Sequence, residues 1–201
     1  MPMNWPSDLF ANISDLMKRH KLAFVDLETT GLDPFRHEII EIGLVLAEQR
    51  EGISGKRDLA FLSEHEIRLK PEHIETADPK SLEVSKYHQR DWSKAVTQKE
   101  GLEEISRLLG GAIFVAQNVA FDWAFLQKAC NEYGVILEGK VHYHKLDLAS
   151  MVFGKFYHES KLFKFSLREM TEYFGVTNQN AHTALADARA TFEVCQKLLV
   201  L

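Results

Sequence analysis

Residues 24–34, FVDLETTGLDP, place two carboxylates, Asp26 and Glu28, inside an otherwise apolar run. LAFVDL (22–27) has the near-continuous apolar character of a strand buried on both faces. Two positions apart on a strand, Asp26 and Glu28 project from the same face, near its carboxyl end. An ionised carboxylate out of water is costly unless a positive partner compensates it. A fold built around this strand must therefore bring such a partner to that end. Hard divalent cations are the natural choice, because Mg²⁺ and Mn²⁺ prefer oxygen ligands and keep several waters. An all-carboxylate set without cysteine argues against structural zinc.

The order of the remaining elements is consistent with such a strand at the centre. SDLFANISDLMKR (7–19) has helical apolar spacing behind a Ser or Asp cap and predicts an N-terminal helix. IIEIGLVLA (39–47) and DLAFLSEHEIRLKP (58–71) predict a second and third strand, with the charged, glycine-punctuated EQREGISGKR between them as a hairpin loop. Residues 97–111 predict a helix, 112–117 a fourth strand, and 122–134 a helix with a glycine stop. KVHYHKLDLASMVFG predicts a short strand leading into a helix, SLREMTEYFG another helix, and HTALADARATFEVCQKLLV a long terminal one. A meander followed by strands alternating with helices implies an α/β fold with a mixed sheet flanked by helices.

Bulk properties narrow the function. With 201 residues the chain suits one α/β domain, read as residues 21–201 behind an N-terminal helical extension at 1–20. The charged fraction of 26% and hydrophobic fraction of 45% are those of a soluble globular protein. No apolar run is long enough to span a bilayer, and MPMNWPSDLF lacks the layout of a secretory signal, so a cytoplasmic protein without a membrane partner is expected. Cys130 and Cys195 sit far apart in helix-like patterns, as reduced core thiols. A net charge of −5 argues against coating long duplex DNA, which depends on neutralising many phosphates. A pocket that grips a few nucleotides is still compatible with it.

Three further residues stand at element ends. Asp122 begins a helix directly after a strand, where open α/β sheets place their ligand crevice. Taken alone, it reads as a helix cap, as does Asp187 on the terminal helix. His182 precedes Asp187 by five residues; helical geometry would turn the two apart, so they share a site only if His182 precedes the helix, on the polar NQNAH run. The HYH at 142–144 could ligate zinc in isolation. Alternating on a strand with no third ligand nearby, it reads as packing.

FVDLETTGL, NVAFD and HTALAD, in that order, resemble the three motifs of the DEDDh 3′→5′ exonucleases, a group that includes the proofreading subunit of bacterial replicative polymerases, RNase T and oligoribonuclease. The resemblance runs from about residue 20 to the end of the chain. It implies an RNase H-like fold with a five-stranded mixed sheet and metal-dependent phosphodiester hydrolysis. Asp26, Glu28, Asp122 and Asp187 would hold two Mg²⁺ or Mn²⁺ ions, and His182 would be the general base. The backbone around Thr29, Thr30 and Gly31 would meet the terminal 3′-hydroxyl and Leu32 would pack on the last base. Phe125, with Phe121, would support that base or belong to the core. Asp147 would be structural rather than a ligand.

Two places depart from the family pattern. Gln117 stands where many relatives carry histidine, and residues 77–92 replace a Val-x-Gly-Ile pattern. The expected substrate is the 3′ end of single-stranded or frayed nucleic acid, DNA favoured, with nucleoside 5′-monophosphates as products. An exoribonuclease, a hydrolase of free nucleotides, and a non-catalytic nucleic-acid- or polymerase-binding module are the alternatives. The N-terminal helix, without counterpart in the minimal domain, caps the core or docks a polymerase or other partner.

Overall fold

The computed structural model describes residues 19–51, 57–160, 162 and 164–201. The helix expected at 7–19 therefore falls almost wholly outside the described residues. Five strands, β1 (Leu22–Thr29), β2 (Ile39–Glu51), β3 (Arg57–Arg68), β4 (Ile113–Ala116) and β5 (Lys145–Asp147), form one sheet in the order β3-β2-β1-β4-β5. β1, β2 and β3 are an antiparallel meander, and β4 and β5 join parallel to β1. The mixed five-stranded sheet expected from the sequence is thus present. β2 and β3 run further than their apolar cores suggest, down to the pair Glu51↔Arg57. Ladder hydrogen bonds continue through charged residues whose side chains reach water at the end of the hairpin.

Six helices are described: α1 (Pro79–Val84), α2 (Gln98–Leu108), α3 (Val119–Glu132), α4 (Leu148–Lys155), α5 (Leu167–Phe174) and α6 (Ala184–Val200). They cover both faces of the sheet, so β1 is apolar on both. Ala23, Val25 and Leu27 pack with Leu102 and Ile105 of α2, with Leu109 just after it, and with Leu126 and Ala129 of α3. Leu22 and Phe24 point the other way, into Leu148, Val152, Met170, Ala188 and Phe192 of α4, α5 and α6. Asp26 and Glu28 continue this second row by the two-residue period of the strand, towards the helix that carries Asp187. Cys130 and Cys195 are buried on opposite sides of the sheet as free thiols.

Local signals place the helix starts. Thr97 and Glu100 form a reciprocal capping box at α2, and Ser166 accepts from the Glu169 N–H at α5. Asp147 does two things at once. Its Oδ1 accepts the Ser150 N–H at 2.7 Å and caps α4, while its Oδ2 accepts the Val119 N–H at 2.9 Å and holds the start of α3. That is the structural role assigned to it from the resemblance. α3 begins three residues earlier than the sequence suggests, with Asn118 in a left-handed conformation at its entry, so Asp122 lies in the first turn rather than at the cap. Residues 142–144 precede β5 instead of lying within a strand. There His142 packs on Tyr143 and His20, with ring centroids 4.7 and 4.5 Å apart, as ordinary contacts. Among the described residues no helix is long and apolar enough to cross a membrane.

Gly43 fixes where α6 docks. It is the register partner of Asp26, and a Cβ built on it would stand 2.1 Å from the backbone carbonyl of Ala184. Backbone cannot yield as a flexible side chain can, so only glycine lets the first turn of α6 approach β2 this closely. Gly43→Ala is therefore expected to lower the melting temperature by roughly 6–12 °C, the cost of overpacking by about 3 kcal/mol. Activity should be lost along with it, because Asp187 moves with α6. A thermal melt and a nuclease assay on the variant check both.

Candidate active site

β1 and α6 bring three of the four expected carboxylates together. One oxygen each from Asp26, Glu28 and Asp187 lies within 4.8 Å of the others. Asp26 and Glu28 come from alternate positions of the strand, and Asp187 from the first turn of α6, set over Asp26 by the Gly43 contact. Asp122 stands beside this cluster without joining the convergent oxygens. It is buried, and its Oδ1 accepts the Leu27 N–H at 3.0 Å. That donor is open because the β1–β4 ladder ends at Phe24↔Val115, leaving the β4-facing edge of β1 bare beyond it. Asp122 therefore does not cap its helix, and its charge couples to Asp26 and Glu28.

Burial and mutual repulsion leave the cluster short of positive charge. Burial, then the charges of Asp122, Asp187 and Glu28, raise Asp26 well above the usual carboxylate range. Burial and the nearby Glu41 and Asp187 push Glu28 up to about 7, with Arg90 pulling the other way. Burial lifts Asp122 to about 8, against the stabilising Leu27 N–H. An all-oxygen set whose ionisation is disfavoured until a cation arrives could hold a hard divalent ion.

His182 precedes α6, as its spacing to Asp187 requires. It is exposed and has a positive φ of 69°. Its N–H donates to Asp187 Oδ2 at 3.1 Å, and Asn178 donates to the other oxygen of the same carboxylate. His182 and Asp187 border one cavity of about 390 Å³ with Arg168, Thr171 and Asn178. The exonuclease family matches residues 23–195.

The chain belongs to that family.

Relatives of this exonuclease domain include the 3′-5′ exonuclease DinG of Staphylococcus saprophyticus subsp. saprophyticus, 30% identical over 86% of the chain and 17% of that protein. The PolC-type DNA polymerase III of Thermotoga maritima is 30% identical over 91% of the chain and 12% of that protein. The chain thus spans less than a fifth of the length of either. Among solved structures, E. coli exonuclease I in complex with a dT13 oligonucleotide superposes with a TM-score of 0.71 at 18% identity, covering 88% of the chain and 40% of that protein. The exonuclease I from Methylocaldum szegediense gives 0.70 at 17% identity, over 89% and 40%. At these identities the likeness is one of fold.

The loop of the exonuclease domain that leaves β1 divides the expected substrate contacts. Leu32 is 74% exposed and Phe35, which sequence reading passed over, 84%. Gly31 is buried under the His37 ring, which a Cβ would meet at 2.4 Å. Thr29 turns its hydroxyl to the Gly31 carbonyl at 2.7 Å. Thr30 is wholly committed to the protein: its N–H donates to the Glu38 carbonyl, its carbonyl accepts from Asp78, and its hydroxyl accepts from the Glu38 N–H. The backbone of Thr30 therefore closes the loop and has no free N–H for a 3′-hydroxyl. Phe125, read as a base support or a core residue, lies on the core side. It is 1% exposed and packs on Phe121 at 4.8 Å, because its place on α3 faces the core.

Two further residues of the site escaped sequence reading. Glu41 pairs with Glu28 across β1 and β2 and is fully buried. Burial and then the neighbouring Glu66 raise its pKa, with Arg90 pulling only partly the other way. The signal was a charged residue in the apolar IIEIG run, the same kind that singled out Asp26 and Glu28. Arg90 carried no signal, since it lies 49 positions away in a polar segment.

The cluster makes the metal-free exonuclease domain sensitive to pH. Asp26, Glu28 and Asp122 titrate higher when folded than when unfolded, so the folded state holds more protons between the two ranges. Stability is then full below the ordinary carboxylate pKa and falls as pH rises through about 7 and 8, where Glu28 and Asp122 ionise. With EDTA, the melting temperature should decline from about pH 5 to pH 8, and saturating Mg²⁺ should flatten the decline. An EDTA profile that rises over this window would contradict the sign.

Proposed function

We propose that this domain is a metal-dependent 3′→5′ exonuclease that removes nucleoside 5′-monophosphates from single-stranded or frayed 3′ ends, DNA in preference to RNA. The observation that carries the reading is the convergence of Asp26, Glu28 and Asp187 beside Asp122 and His182 in an exonuclease-family fold. Bound by these four carboxylates, two Mg²⁺ or Mn²⁺ ions would supply activation of a water and neutralisation of charge at the departing 3′ oxygen. A ring nitrogen of His182 takes the proton from the attacking water, a task suited to an imidazole near neutral pH. Asp187 contributes twice, as a ligand and as acceptor for the His182 backbone. Leu32 and Phe35 offer apolar faces to terminal bases, and Arg36 beside them offers positive charge to the phosphates.

Support for the substrate comes from the E. coli exonuclease I bound to a dT13 oligonucleotide, and for a polymerase context from the PolC-type relative. Free, buried thiols fit a cytoplasmic setting. The net charge of −5 favours a short grip on one strand over duplex coating. A matched end must unpair before its last phosphodiester reaches the carboxylates, which costs a few kcal/mol, whereas a mismatched end is already frayed. Single-stranded DNA and a 3′-mismatched duplex should therefore be shortened one nucleotide at a time, faster than a matched blunt duplex. The assay follows 5′-labelled oligonucleotides of each kind, with single-stranded RNA alongside. Faster digestion of the matched duplex, or shortening from the 5′ end, rejects the reading.

A further inference from the structure

The His182 loop is held by a buried ion pair that lies outside the carboxylate cluster. Glu41 has no exposed surface, and the Arg90 side chain that pairs with it is 10% exposed. The guanidinium is forked: Nη1 donates to Glu41 Oε2, and Nη2 donates to the carbonyl of His182 at 2.6 Å. The same Glu41 oxygen accepts the N–H of Ala184 at 3.4 Å, two residues further on. With Asp187 Oδ2 on its N–H, His182 has both backbone groups held, from opposite directions. This residue also carries the left-handed φ of 69°, which a non-glycine side chain disfavours. Such a conformation persists only where its surroundings over-determine it, and that is commonest at functional sites.

The arrangement has a cost that packing alone does not explain. Burying a carboxylate and a guanidinium incurs a desolvation penalty that apolar residues of the same size would avoid. Arg68 comes within 3.9 Å of the other Glu41 oxygen but accompanies Glu66, so Arg90 is the cation that reaches both Glu41 and the loop. Arginine suits this position because its planar fork can serve two acceptors at fixed angles, which an ammonium cannot do. Arg90 comes from residues 77–92, the stretch that departs from the family pattern.

We propose that Arg90, anchored by buried Glu41, is a positioning residue that holds His182 in working register with the carboxylate cluster. The inference rests on His182 acting as the general base. It is tested by kinetics on a labelled single-stranded DNA oligonucleotide with Mg²⁺, using Arg90→Gln, Arg90→Lys and His182→Ala and the combination of the first with the last. Mn²⁺ titration by calorimetry and a melting curve accompany each variant.

Arg90→Gln should lower kcat by about 10- to 100-fold, the usual effect of small misplacement of a catalytic group, while KM and the Mn²⁺ affinity change by less than about twofold. Arg90→Lys, which keeps the charge and loses the fork, should recover only part of that loss. In the His182→Ala background, Arg90→Gln should cost less than about threefold more, because the group it positions is gone. Should Arg90→Gln unfold by leaving Glu41 unpaired, the neutral pair Glu41→Gln with Arg90→Gln carries the same expectations.

A folded Arg90 variant with wild-type kcat overturns the positioning role and leaves His182 as the base. So does an equal loss in the His182→Ala background, or weaker Mn²⁺ binding, which would place the effect on Glu28. Wild-type kcat in His182→Ala overturns the general-base reading itself.

Discussion

Asp26→Asn is expected to abolish hydrolysis while leaving a folded and, without metal, more stable protein. Asp26 stands at the centre of the cluster: its oxygen converges with those of Glu28 and Asp187, and Asp122 adds its charge from the side. The amide keeps the shape and removes the charge, so a metal bound there loses a carboxylate ligand, and binding weakens accordingly. In the metal-free protein the same change removes a buried carboxyl that burial and the like charges of Asp122, Asp187, Glu28 and Glu41 already disfavour. The melting temperature in EDTA at neutral pH should therefore rise, whereas the stabilisation gained from added Mg²⁺ should shrink. Wild-type protein in EDTA should be equally inactive and recover with Mg²⁺ or Mn²⁺. Activity that survives chelation, or an Asp26→Asn variant as active as wild type, would remove the metal from the reaction.

His182→Ala is expected to slow turnover by roughly 10²- to 10⁴-fold, the usual range for a lost general base, with metal affinity nearly unchanged. The two proposed roles fall on different atoms. His182 lies outside the convergent carboxylate oxygens, and its link to them is a backbone N–H on Asp187 that alanine retains. Calorimetry with Mn²⁺ beside single-turnover kinetics distinguishes the possibilities. A collapse of metal binding in the variant would make His182 a ligand and require a different base.

Much of this molecule was legible in one dimension, and the reasons are local. The apolar run around Asp26 and Glu28 identifies a central strand, and the two-residue period puts both acids on one face. Thr97 with Glu100 and Ser166 with Glu169 announce helix starts through caps that span a single turn. The spacing of His182 and Asp187 is itself a geometric statement, because five helical steps would separate them, and the loop before α6 follows from it. Each of these depends on residues within a few positions of one another, where covalent geometry determines who can meet.

The tertiary structure decided the rest. Asp122 reads locally as a cap, yet its carboxylate serves Leu27, 95 positions away, because β4 is too short to pair that stretch of β1. Phe125 reads as a base support or a core residue, and the docking of α3 on the sheet made it core. Glu41 could have been a ligand, a surface charge or a structural anchor. The arrival of Arg90 from 49 positions away made it the anchor of the histidine loop. These contacts depend on chain segments whose meeting is set by sheet order and helix docking, and Gly43 shows how narrow that condition is: without a Cβ the first turn of α6 reaches Asp26, and with one it cannot.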